Sequence, residues 1–379
     1  MSPFPVMTAR PRRTFVILGI LVLAALVAAV AVAVVPPAGT RAGPTGKIYW
    51  TDRGTDKIQR ANLDGTGVED LVTTGLRSPA GLALDVSGGK MYWTDRESGK
   101  VQRANLDGTM VEDLVTGLAD PIGIALDVAG GKMYWAVHEG YRIQRANLDG
   151  ASVEDLVLMT FPQPTGPIGV ELDVIGGKLY WTVLLGEIQR ANLDGSAVEI
   201  LLNELQAPTD IALDIGGAKM YWSHEFVGPP PVFGSIQRAN LDGSGVETVI
   251  PRTRDSAPNG LALDASGGKM YWTDRESGKI QRANLDGTGV EELVTGLTSP
   301  IGIALDIPEP GATPRPKPTP AVSATATPTA EVVTAPPTGG GAAGAGSGRT
   351  LGWIVSALAG AGAIALGGAA WYARRRWAR

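Results

Sequence analysis

The sequence predicts an all-β chain: a six-bladed β-propeller with four-stranded blades, its ring closed by the C-terminal strand, plus N- and C-terminal apolar helices. Three observations carry this. Tyr-Trp recurs at residues 49, 92, 134, 180, 221 and 271, a spacing of 41 to 50. The octet I/V-Q-R-A-N-L-D-G follows each pair, beginning at Ile58, Val101, Ile143, Ile188, Ile236 and Ile280. Each copy also holds four strand-like runs, typified by GIALDV, KMYWTD, KIQRANL and VEDLV, separated by turn sequences such as S-G-G and D-G-T-G. Four strands per unit of about 40 to 45 residues is a propeller blade, and six units make a ring.

Taken in order, residues 1–13 are a basic N-terminus with Arg10, Arg12 and Arg13, and residues 14–35 are apolar throughout. At roughly 1.5 Å per residue that run can cross a bilayer core, as a signal anchor or as a signal peptide cut at Ala31-Val32-Ala33. The propeller occupies residues 46–307. Its first copy opens on GKIYWTD with no L-A-L-D run before it, and one such run, residues 302–307, stands alone at the end. The last run is therefore expected to be the innermost strand of the first blade, which closes the ring. Residues 308–350, rich in Pro, Thr, Ala and Gly, cannot form a core and read as a stalk. Residues 351–373 read as a transmembrane helix, and the basic tail 374–379 places them with the positive side in the cytoplasm. Within the stalk, Pro336, Pro337, Thr338 and Gly339 resemble a bacterial-type sortase sorting signal, with Ala335 where that motif has Leu. The expected location is the cell membrane, propeller outside, with cell-wall attachment as the alternative.

Residues 36–350 carry 26 basic and 38 acidic side chains, a formal charge of −12, which argues against nucleic acid as the partner. There is no cysteine, which excludes thiol catalysis and cysteine metal sites and leaves packing alone to hold an extracellular domain. No cofactor is implied.

Tyr-Trp-Thr-Asp stands complete at residues 49–52, 92–95 and 271–274, and degraded at 134–137, 180–183 and 221–224. The repeat resembles the YWTD repeat, also called the low-density lipoprotein receptor class B repeat, over about 260 residues. The resemblance implies a six-bladed propeller. Receptors of that family usually add cysteine-rich modules, which this chain lacks, so an endocytic role is not implied.

Repetition argues for scaffold. The tryptophans of the six Tyr-Trp pairs read as packing between blades. Arg60 and its equivalents persist where the motif aspartate is lost, and read as hydrogen-bond donors to neighbouring turns. The N-L-D-G segments read as tight turns rather than calcium loops, and Asp85 and its equivalents as structural groups before the S-G-G turns.

Function is sought where the repeat breaks. Loops between the second and third strands, and between blades, share one face. There D-R-E-S-G-K becomes residues 137–142 (VHEGYR) and 223–235 (SHEFVGPPPVFGS), and the inter-blade links become residues 158–167 and 251–258. His138, Glu139, Tyr141, Phe161, His224, Glu225, Phe226 and Phe233 thus gather on one face over blades three to five, and Asp210 and Asn259 are the polar residues of metal-ligand type at the inner-strand entries. The expected function is a noncatalytic, surface-displayed module that binds a protein, peptide or glycan there. The alternatives are a hydrolase with a channel metal, using His138-Glu139 or His224-Glu225 for proton transfer, and a purely structural surface protein.

Overall fold

The computed structural model describes residues 46–159, 165–225 and 232–307, in which 24 strands, β1 to β24 in chain order, form six antiparallel four-stranded sheets. The apolar segments 14–35 and 351–373, the stalk and residues 336–339 lie outside the described residues. Among the described residues no helix is long and apolar enough to cross a membrane.

The ring closes as the sequence predicts. β24 (Pro300–Asp306) is the inner strand of the first sheet and pairs antiparallel with β1 (Lys47–Asp52), which continues into β2 (Lys57–Asn62) and β3 (Glu69–Val72) at the rim. Across that seam Trp50 faces Ile303 and Lys47 faces Asp306. The other five blades begin with inner strands β4 (Pro79–Asp85), β8 (Pro121–Asp127), β12 (Pro167–Asp173), β16 (Pro208–Asp214) and β20 (Pro258–Asp264), and β24 touches both β4 and β20.

Successive side chains of a strand point to opposite faces, so the Tyr and Trp of each pair enter different wedges between blades. Tyr49 of the first blade and Trp93 of the second share an apolar cluster with Ile58, Val72 and Met91. Tyr271 of the sixth and Trp50 of the first share the cluster that spans the closing seam. The remaining wedges repeat the pairing, and the tryptophans of all six Tyr-Trp pairs are buried.

The repeated arginines are clamps between blades. Arg60 lies over the ring of its own Tyr49, and its Nη1 donates to the Leu106 carbonyl in the next N-L-D-G turn at 2.9 Å. Arg103, Arg145, Arg190 and Arg238 reach Leu148, Leu193, Leu241 and Leu285 in the same way, and Arg282 reaches Leu63 across the seam. The turn aspartates serve the turns themselves: Asp64 Oδ1 accepts from the Thr66 amide and hydroxyl, and Asp85 from the Gly88 amide and the Ser87 hydroxyl.

The motif threonine joins inner strands. Thr94 accepts from the Gly81 amide of its own blade at 2.9 Å and donates to the Ile122 carbonyl of the next. Thr94 is wholly buried, so Thr94→Val would leave two backbone groups unpaired and is expected to cost about 2–3 kcal/mol. Urea unfolding checks this, with the midpoint lowered and the m-value unchanged.

Blade five departs from the loop that its sequence suggests. The segment 223–235 reads as loop, yet β17 (Lys219–Glu225) continues through His224 and Glu225, and β18 (Phe233–Asn240) begins at Phe233, ahead of Ile236 where the repeated octet starts. His224 pairs with Ser235, as the motif aspartate does in the complete repeats, and Glu225 pairs with Gly234, so one further rung joins the hairpin. β19 (Glu247–Arg254) lengthens to match, with Thr253 opposite Gly234 and Arg254 opposite Phe233. Pro251 does not stop it because an outermost strand needs no amide on its free edge. The segment 251–254 is therefore strand, where the sequence suggests a connection.

Candidate functional site

The loops that vary lie on one face because each hairpin between second and third strands, and each link between blades, leaves from the same end of the sheets. In the complete repeats the motif aspartate ties the two together: Asp52 accepts from the Thr298 and Ser299 amides of the inter-blade link and from the Gly54 amide of its own hairpin. Val137, Val183 and His224 stand at that place in blades three to five, and there the loops depart from the pattern.

In blade three, Glu139 and Tyr141 are exposed, whereas His138 is half-buried. The His138 amide donates to the Asp120 carbonyl, and its ring Nδ1 is 3.4 Å from the Pro167 carbonyl. Burial holds its pKa below the usual histidine value. Tyr141 sits at φ 51°, in the place that glycine takes in blades two and six, and its carbonyl accepts from the Met159 amide. Gly166 permits the link to pass over His138, since a Cβ there would lie 1.9 Å from the His138 carbonyl oxygen.

In blade five the polar pair turns inward. His224 is 5 % exposed, its Nε2 meets the Ser235 hydroxyl, and its Nδ1 is buried without a partner. Glu225 is 4 % exposed and paired with Arg275 at 2.5 Å. Phe233 is half-buried, and Phe161 and Phe226 lie outside the described residues. The candidates thus do not converge on one spot. Glu139 and Tyr141 of blade three face solvent, while His224 and Glu225 belong to the interior of blade five.

Burial and the charge of Arg252 lower the His224 pKa to about 4. The unfolded imidazole titrates near about 6.5, so the unfolded chain binds the extra proton first as pH falls. The stability that neutral His224 confers is full above the unfolded value and is lost between about 6.5 and 4. Between about pH 7.5 and 4.5 the native chain is expected to lose about 2 kcal/mol more than His224→Val does, measured by urea unfolding at both pH values.

The channel mouth is closed by apolar side chains from the second position of four inner strands: Ala80, Ile122, Ile168 and Ile301, with Leu184 packed on them. Thr209 and Asn259 take that position in the other two blades, and both are buried. One residue deeper, Asp210 accepts from the Ile211 amide at 3.0 Å and from the Leu261 amide of the next blade at 2.8 Å, and burial pushes its pKa up to about 6. Accepting from amides of two blades makes Asp210 a bridge between inner strands.

Three features escape the sequence reading. Leu158 and Leu185 are 64 % and 59 % exposed on the same face as Tyr141, which is 43 % exposed. Arg53 of the first blade's hairpin has its pKa lowered to about 10 by burial and by the charges of Arg96 and Arg275 on the adjoining blades. Glu171 lines the channel, its pKa pushed up to about 7 by burial and then by Asp210. The signal for Glu171 is a single letter: five inner strands read A-L-D where this one reads E-L-D.

Residues 46–86, 89–128, 177–215 and 268–307 match the family described as low-density lipoprotein receptor repeat class B. The Tyr-Trp copies of blades three and five, whose hairpins are altered, fall outside those stretches. Over 38 residues the chain is 63 % identical to low-density lipoprotein receptor-related protein 4 of Homo sapiens, covering 10 % of this chain and 2 % of that one. The same figures hold for the Mus musculus protein, so the match spans a small part of either relative. Among solved structures, a chain of a nidogen/laminin complex superposes with a TM-score of 0.59 at 22 % identity, over 69 % of this chain and 98 % of that one, a likeness of fold. Four stretches of this chain thus match low-density lipoprotein receptor class B repeats, and the described residues fold as a six-bladed β-propeller of four-stranded blades.

Proposed function

We propose that the propeller is a noncatalytic binding module that recognises an extracellular protein, peptide or glycan on its variable loop face, with the contact centred where blades three and four meet. The supporting observation is the exposed apolar group Tyr141, Leu158 and Leu185. These side chains border one inter-blade link: Met159 bonds back to Tyr141, and the Leu185 amide donates to the Thr165 hydroxyl. Other exposed apolar residues, such as Val68, Val111, Val153, Val198, Val246 and Val290, recur once per blade and belong to the scaffold. A local apolar patch rimmed by charge, on loops held by a rigid ring, fits partner recognition. Display outside the cell membrane rests on the apolar segments 14–35 and 351–373 and their basic flanks.

The test immobilises the full chain and a triple variant, Tyr141→Gly, Leu158→Thr and Leu185→Ser, each a residue type that other copies of the repeat use. Extracellular proteins and glycans are passed over both. The reading expects a saturable partner retained by the native chain and lost by a variant of equal melting temperature. Equal retention by both contradicts it.

A further inference from the structure

The channel holds a second feature, on the far side of the apolar plug and independent of the loop face. A cavity of about 270 Å³ is lined by Leu82, Ile124, Leu261, Ile303 and the alanines of five inner strands, with Glu171 in the place of the sixth alanine. Inner strands run from the loop face to the S-G-G turns, and the plug lies at their start. The cavity therefore opens toward the S-G-G face. An inner strand has a sheet neighbour on one side only, so part of its backbone amides and carbonyls faces the axis. Glu171 forms no ion pair among the described residues, and no other cavity-lining side chain ionises. Asp210 on β16 is the one further charge that bears on it.

A carboxylate among aliphatic side chains and backbone edges, bonded to the Leu172 amide alone, is unfavourable unless something further compensates it, and five blades show that alanine serves the fold at that place. We propose that Glu171 anchors the ammonium group of a small aliphatic amine in the channel cavity. The ammonium would donate to the carboxylate and to axis-facing carbonyls, and the alkyl body would lie against Leu82, Ile124, Leu261 and Ile303. A single carboxylate is a poor set for calcium, which takes about six or more oxygens, whereas one ammonium matches one carboxylate.

The probe is n-butylammonium chloride, titrated calorimetrically into the full chain against sodium chloride at equal ionic strength. Saturable binding is expected at about pH 8. It should weaken at least about fivefold at about pH 5.5, where a carboxyl titrating at about 7 is largely neutral. Glu171→Ala, which copies the other blades, and Glu171→Gln, which keeps the shape, should both lose it. No saturable binding at the higher pH, an equal response to sodium, or undiminished binding by either folded variant would overturn the proposal.

Discussion

A chain ended at Ser299 is expected to lose the cooperative unfolding transition of the propeller, while a chain ended at residue 310 keeps it. The difference is one strand. β24 supplies the inner edge of the first blade, buries Ile301 and Ile303, and touches the inner strands on both sides. Without it, β1 presents an unpaired edge, and Thr51 loses the Gly302 amide that donates to it at 2.8 Å. Burial of the two isoleucines alone is worth about 1.5–3 kcal/mol each, and the wedge around Trp50 and Tyr271 opens as well. The sum approaches the whole stability of a typical domain, about 5–15 kcal/mol. Far-ultraviolet circular dichroism during heating distinguishes the two chains. A cooperative transition shared by both would show that the seam is dispensable.

Trp93→Ala is expected to cost about 3–5 kcal/mol, in the range for large aromatic truncations in a core. Trp93 has no exposed surface, fills the wedge between the first two blades, and donates from its indole to Gln102 at 3.0 Å. Because Arg60 and Leu106 close the same wedge nearer the rim, the ring should remain closed at low temperature and unfold at a much lower urea concentration. A loss below about 1 kcal/mol would show that the wedges do not carry the fold.

The scaffold is legible in the sequence because six copies state each rule independently. Arg60 and its equivalents show the value of repetition: they survive where the motif aspartate does not, which points to another partner, and the structure places that partner in the next blade's N-L-D-G turn. The strand that closes the ring is legible in the same way, from a run left over at the end. Departures are harder to read. The segment 223–235 looks like a loop because it departs from D-R-E-S-G-K, yet His224 stays paired where the motif aspartate pairs and the hairpin lengthens by one rung at Glu225, so both side chains lie in the interior. Burial depends on such pairing, which a pattern of residue types does not state. Glu171 shows the opposite limit, since one altered letter within a strand that otherwise obeys the pattern is easily passed over. Its meaning depends on the axis that five other strands complete.

Photo-crosslinking from defined positions tests the loop-face contact most directly. Leu185→benzoylphenylalanine and Leu158→benzoylphenylalanine place the reactive group on the proposed contact, and Ile175→benzoylphenylalanine places it on the S-G-G face, where Ile175 is 94 % exposed. With the full chain displayed on cells and then irradiated, one partner band is expected, shared by the two loop-face positions and absent at Ile175. A band of equal strength at Ile175, or bands at Ile175 alone, would contradict recognition through the loop face.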